Sequence, residues 1–307
     1  MTYSITRRNV VLRRLRSGCA AAKRLGRFAL LRSLLFPAIF AGTSWVAAAP
    51  PPRVDARLVC EVTAITPGEA FWVALRLQTS EDAHVYWVNP GDAGMAVSIE
   101  WKLPARFEAG DIVWPAPARF STGGIVSFGF SGDVWLLVPI TPPADLTAGA
   151  PVRLEAQAHW LACRDVCVPG EARISVDVAV EPGGRRDPEW APEFDQARRR
   201  LPAAMPAEWK ARFTDGESLT LTLTSPSSGA WAGAKPFYYP FDEGVIEASA
   251  AQESRIIGNS LTLTLKKSKY RSNAVTALDG VLALDSSEAA PGPLRAFLVK
   301  PTLQRKE

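Results

Sequence analysis

Proline and glycine punctuate this sequence so densely that little room is left for helices. The chain carries 25 Pro and 22 Gly in 307 residues, and beyond residue 56 they separate short apolar or alternating runs. Arg57–Ile65 and Phe71–Thr79 are two such runs, with Thr66-Pro67-Gly68 between them as a turn. Further strands are predicted at His84–Val88, Val97–Lys102, Val134–Thr141, Val152–Trp160 and Arg173–Val180. Links such as Asn89-Pro90-Gly91-Asp92, Trp114-Pro115-Ala116-Pro117, Pro142-Pro143 and Pro169-Gly170 divide them. About seven short strands joined this way predict an all-β fold, an immunoglobulin-like β-sandwich.

After a Glu181–Arg185 linker, Asp187-Pro188-Glu189 opens a single predicted helix that runs to about Arg200, with Asp187 as N-cap and Pro188 in the first turn. Trp190, Phe194, Ala197 and Leu201 share one face, so the helix is expected to dock. A second, smaller β-rich region begins near Trp209. Its strands are expected at Ser218–Thr224, Lys235–Tyr239, Val245–Ala248, Ser260–Lys266, Val281–Asp285 and Leu294–Val299.

The first 48 residues stand apart. They hold nine Lys and Arg and no Asp or Glu, followed by an apolar run from Ser33 to Val46 and the small residues Ala47, Ala48 and Ala49. That order describes a secretory signal peptide cleaved after Ala48. The alternative is an uncleaved leader anchoring the chain to the inner membrane, but the run is short of the ~20 residues a span needs and contains Pro37. The sequence therefore divides into a signal peptide (1–48), a sandwich domain (49–180), a linker and helix (181–207) and a second β-rich domain (208–307). Without the leader, 26 Lys and Arg face 31 Asp and Glu. The basicity belongs to export, and no nucleic-acid footprint remains.

Three cysteines follow the leader: Cys60, Cys163 and Cys167. On one extended strand, Cys163 and Cys167 would stand roughly 13 Å apart at ~3.3 Å per residue, whereas a disulfide needs Cα atoms within about 7 Å. A bonded pair requires the chain to turn at Arg164-Asp165-Val166, presenting both sulfurs at a hairpin end. A stabilising staple is the plainer reading. Closing so short a loop is worth only ~2 kcal/mol in the chain-entropy model, and exposed disulfides are the labile ones. Exported chains meet an oxidising compartment, so redox exchange, a staple and copper(I) held by two thiolates all remain open. Zinc is poorly supported, with His84 and His159 the only histidines. Cys60 shares a strand face with Leu58 and Val62 and reads as a buried small hydrophobe. Asn89 to Gly94 lacks a phosphate-cradling glycine pattern and reads as a turn, and no G-x-S-x-G or H-E-x-x-H hydrolase motif is present.

Four stretches carry a family resemblance: His84 to Gly94 (HVYWVNPGDAG), Ile112 to Pro117 (IVWPAP), Phe128-Gly129-Phe130 ahead of Leu136 to Thr141 (LLVPIT), and Trp160 to Gly170 (WLACRDVCVPG). In this order they resemble the amino-terminal periplasmic domain of the DsbD thiol:disulfide interchange proteins, in particular the copper-sensitivity suppressor branch. The resemblance implies an immunoglobulin-like domain that acts as a protein-disulfide reductase, with no cofactor or metal. Cys163 and Cys167 would be the catalytic pair, and Cys167 would form the mixed disulfide. Oxidised periplasmic thioredoxin-fold proteins would be the acceptors, and a membrane-embedded or thioredoxin-like donor would supply electrons. It also implies an aromatic cap, for which Phe128 is the candidate, with Phe130, Tyr86 and Trp87 as neighbours. Better-known members carry two aromatics where this chain has Ser127-Phe128, and space their cysteines more widely. Full-length members continue into a multi-helix membrane domain and a thioredoxin domain, so a chain ending at Glu307 is expected to work as a detached module with its donor in trans.

Overall fold

Alternating burial along the strands builds two facing sheets. The computed structural model describes residues 51–271, 273–285 and 295–304. The expected leader with its cleavage after Ala48, and the first residue of the strand expected at Leu294–Val299, lie outside them. The first region contains β1 (Val54–Cys60), β2 (Val62–Ile65), β3 (Phe71–Thr79), β4 (His84–Gly91), β5 (Ser98–Lys102) and β6 (Glu108–Ala109). It continues through β7 (Ala118–Thr122), β8 (Ile125–Ser131), β9 (Asp133–Thr141), β10 (Val152–Cys163), β11 (Cys167–Val180) and β12 (Arg185–Arg186). One sheet has the order β1-β3-β9-β6; the other runs β12-β2-β11-β10-β4-β8-β7, with β5 also on β10. Between them lie Leu58, Val73, Leu75, Val85, Trp87, Phe128, Leu154 and Trp160. This is the all-β sandwich expected.

The expected Val152–Trp160 and Arg173–Val180 strands prove to be parts of one long hairpin. Its register is unbroken from Val152↔Val178 to Cys163↔Cys167. Pro169 and Gly170, read as a link, lie inside β11. Pro169 fits because β11 has no partner there on its other side: it meets β2 only at Ala179 and Val180. Gly170 faces Trp160, whose indole nitrogen would lie 2.3 Å from any Cβ added at that position. The Phe128 segment is likewise a strand, paired in a hairpin with β7.

The helix α1 (Ala191–Arg199) starts later than expected. Trp190 is its N-cap, with no side-chain cap, and Asp187 instead accepts the backbone N–H groups of Glu189 and Trp190. Its predicted face is the docking face. Phe194 and Ala197 bury against Val59, Ala74, Trp135 and Leu137 on the outer side of the four-stranded sheet, with Trp190 and Leu201 beside them.

The second region holds β13 (Ala203–Ala204), β14 (Lys210–Asp215), β15 (Leu219–Thr224), β16 (Phe237–Pro240), β17 (Glu253–Ile257), β18 (Ser260–Leu265), β19 (Gly280–Ala283), β20 (Ala296–Val299) and β21 (Thr302–Leu303). They form sheets ordered β13-β20-β19-β16 and β17-β18-β15-β14-β21. Phe213, Leu221, Leu263, Tyr238 and Leu282 fill the core between these sheets. The alternate residues Phe237, Tyr239, Val281 and Ala283 turn the other way, into the core of the first sandwich. The small sheet is therefore buried on both faces in β16 and β19, which explains their unbroken apolar runs. Val245–Ala248, expected as a strand, makes only one isolated bridge, Ile246↔Lys267. Backbone bonds from Glu247 N–H to the Lys266 carbonyl and from Ser268 N–H to the Val245 carbonyl form that bridge, while Val245 enters one core and Ala248 the other.

Glu61 ties the helix to the sandwich. Its carboxylate, buried at 7% exposure, accepts from Arg186 (2.8 Å) and Arg198 (2.9 Å). Burial disfavours the charged form, but the hydrogen bonds from Arg198 and Arg186 outweigh it and hold the pKa below the ordinary carboxylate value. Because the folded value is depressed, this stabilisation is complete above the unfolded pKa near 4.5 and disappears as pH falls through the folded value. Glu61→Gln is expected to cost about 1–3 kcal/mol at neutral pH in chemical denaturation, with the gap to the unmodified chain closing in acid.

Candidate redox site

The turn at Arg164-Asp165-Val166 brings Cys163 and Cys167 into direct opposition, with Cα atoms 4.1 Å apart and a disulfide between them. The Arg164 N–H bonds the Val166 carbonyl (3.2 Å), and the Arg164 guanidinium lies 3.1 Å from the Asp165 carboxylate. The two sulfurs are not equivalent. Cys163 is 2% exposed, whereas Cys167 is exposed at the start of β11. Val166 between them is 58% exposed.

Cys163 occupies a junction in the sheet. β10 pairs along its length with β11, over 155–159 with β5, and with β4 at one position, Cys163↔His84. Across that junction β4 alternates. His84 and Tyr86 face the cysteines, while Val85 and Trp87 enter the sandwich core. The Tyr86 hydroxyl donates to Cys163 Sγ at 2.8 Å and lies 3.7 Å from Cys167 Sγ. Burial raises the Tyr86 pKa, with a hydrogen bond involving Ser127 opposing the shift, so the phenol keeps its proton. His84 stacks on Phe120 (centroids 4.3 Å) and meets the Tyr86 edge at 5.2 Å. Burial lowers its pKa to about 4, leaving a neutral imidazole at pH 7.

The candidate aromatics are thereby sorted by strand parity. Tyr86 is at the sulfurs. Trp87 is fully buried on the opposite face, against Tyr239 and Phe241. Phe128, expected to cap the pair, is instead a core residue at 0% exposure, edge-on to Phe237 and Tyr239. Phe130 lies on that same face and stacks with Trp114. The residue that β8 turns toward Tyr86 is Ser127, so the aromatic group over the sulfurs comes from β4. Sequence reasoning passed over His84 and Phe120; the signal available was the i, i+2 spacing of His84 and Tyr86. Cys60 is a free, buried thiol among the apolar residues of the sandwich, its pKa pushed up to about 12 by burial. Among the described residues no group of three or more His, Cys, Asp or Glu is placed to hold a metal, and no helix is long and apolar enough to cross a membrane.

The family described as thiol:disulfide interchange protein DsbD, N-terminal, matches residues 54–179. The crystal structure of the N-terminal periplasmic domain of ScsB from Proteus mirabilis superposes with a TM-score of 0.58 at 17% identity, covering 82% of this chain and 92% of that one. The major pilin subunit of Bacillus cereus matches at 11% identity over 76% of this chain and 58% of that one, with a TM-score of 0.27, too low to bear on the fold. No curated protein sequence matches.

Tyr86→Phe removes the O–H···S bond and should raise the pKa of the reduced Cys163 thiol, because a hydrogen bond to the thiolate favours it. The pH profile of alkylation in a Cys167→Ala background reads that shift. Phe128→Ala should leave the profile in place and destabilise the fold by about 3–5 kcal/mol, measurable by denaturant titration.

Proposed function

We propose, for a chain whose residues 54–179 belong to the DsbD N-terminal family of thiol:disulfide interchange proteins, an electron relay in the periplasm. The unequal burial of the two sulfurs carries the reading: Cys167 is open to a partner and Cys163 is held behind it under the Tyr86 hydroxyl. In the reduced protein the Cys167 thiolate attacks a disulfide sulfur of an oxidised thioredoxin-fold partner. One partner thiolate leaves and a mixed disulfide forms. The Cys163 thiolate then attacks Cys167 Sγ, releasing the partner as a dithiol and restoring the Cys163–Cys167 disulfide. Two electrons and two protons pass to the partner. Reduction runs the sequence backwards: the thiolate of a membrane-embedded or thioredoxin-like donor attacks Cys167, and Cys163 departs as a thiolate stabilised by the Tyr86 hydroxyl. A leaving thiol of low pKa departs faster, which is the chemical use of that contact.

The export leader read in residues 1–48 and the periplasmic origin of the matched ScsB domain support the location. Copper tolerance, suggested by the branch resembled, belongs to this proposal only as a physiological setting for such a relay.

Cys163→Ala should trap a covalent complex through Cys167 when mixed with an oxidised thioredoxin-fold protein, and Cys167→Ala should trap little. Cys60→Ala should leave trapping intact. Non-reducing electrophoresis reads all three. A reduction potential well below about −300 mV would mark a structural bridge and sink the relay.

A further inference from the structure

The segment Asn89 to Gly94 does more than turn the chain. Asn89 donates through its side-chain amide to the carbonyls of Pro240 (2.8 Å) and Asp242 (3.1 Å), and its Oδ1 accepts the Gly91 N–H at 3.0 Å. The Asp92 carboxylate accepts the Val126 N–H (3.0 Å) with one oxygen and the Ala248 N–H (3.2 Å) with the other. Pro240, Asp242 and Ala248 all belong to the second β region, so both side chains fasten this segment across the seam. Two residues further on, Gly94 lies against the Tyr86 ring. A Cβ there would stand 2.1 Å from a ring carbon, and its φ of +138° is one that only glycine adopts freely. An isolated bridge between Tyr86 and Ala96 closes the seat. The ring so held is the one whose hydroxyl reaches Cys163.

We infer that Asn89 and Asp92 are positioning residues for the redox pair, and that the second β region serves as the anchor holding the Tyr86 hydroxyl on Cys163 Sγ. This rests on the thiol–disulfide role proposed above and extends it to residues that touch neither sulfur. A hydrogen bond to a thiolate is stronger than one to a disulfide sulfur. Holding Tyr86 in place therefore favours the reduced state and makes the pair easier to reduce.

The test equilibrates the exported protein with glutathione buffers, in which two glutathione thiols reduce the pair and leave as one glutathione disulfide, so no protein partner is needed. Asp92→Ala and Asn89→Ala should each shift the equilibrium toward the protein disulfide by about three- to tenfold, with Asp92→Asn in between. Tyr86→Phe should shift it the same way, and adding Asp92→Ala to Tyr86→Phe should bring little more, because both act through one contact. Leu263→Val, in the second region's own core, should lower the melting temperature and leave the equilibrium where it was. The inference is overturned if Asp92→Ala and Asn89→Ala move the equilibrium no further than Leu263→Val, or if the Asp92 and Tyr86 effects add in full. A wild-type pair that glutathione buffers cannot reduce would instead overturn the exchange role, and the anchor's purpose with it.

Discussion

The unbroken antiparallel register between β10 and β11 is the constraint on which the site depends. Each cross-strand pair from Val152↔Val178 onward carries the alternation forward, so that Cys163 and Cys167 meet as the last pair before the turn. A shift of one residue would turn Leu154, Ala158 and Trp160 out of the core, and their burial forbids it. The register is thus set by the sandwich interior, far from the sulfurs, and is delivered to the pair through the ladder. Gly170 contributes by leaving space for the Trp160 ring at the point where a side chain would separate the strands.

Chemical asymmetry follows from where that hairpin joins the rest of its sheet. β4 pairs with β10 only at Cys163, which closes one side of this cysteine with His84 and Tyr86, while Cys167 at the start of β11 keeps its access to solvent. One sulfur is therefore enclosed and the other open to solvent, the asymmetry on which the proposed relay rests. Cys163 is buried beside a protonated phenol and a neutral imidazole that itself stacks on the Phe120 ring. In such surroundings a single O–H donor has more weight than it would in water.

The small sheet of the second region connects two cores. Tyr238 and Leu282 point into one, Phe237, Tyr239 and Val281 into the other. Phe128 belongs to this seam, edge-on to Phe237 and Tyr239, and Arg119 lies over the Phe237 ring at 4.4 Å. The second region is thus packed directly behind the sheet that carries the site, and the Asn89 and Asp92 contacts lie at the edge of the same seam.

Local pattern alone determined much of this protein. Period-two alternation and proline–glycine punctuation made the strands, and hence the sandwich, legible. The four-residue separation of Cys163 and Cys167 required a turn between them if they were to bond. The 3.6-residue spacing of Phe194, Ala197 and Leu201 identified the docking face of α1. Tertiary structure decided what local pattern cannot encode. Alternation separates Phe128 from Ser127 and Trp87 from Tyr86, but it does not say which face meets the cysteines. That depends on which strand lies beside β10, a pairing between residues 77 positions apart at Tyr86 and Cys163. The destinations of the Asn89 and Asp92 side chains are more distant still, at Pro240 and Ala248. A turn that serves as a clamp looks the same in sequence as one that does not, because its partners across the seam are backbone groups: carbonyls, which every residue supplies, and N–H groups, which every residue but proline supplies.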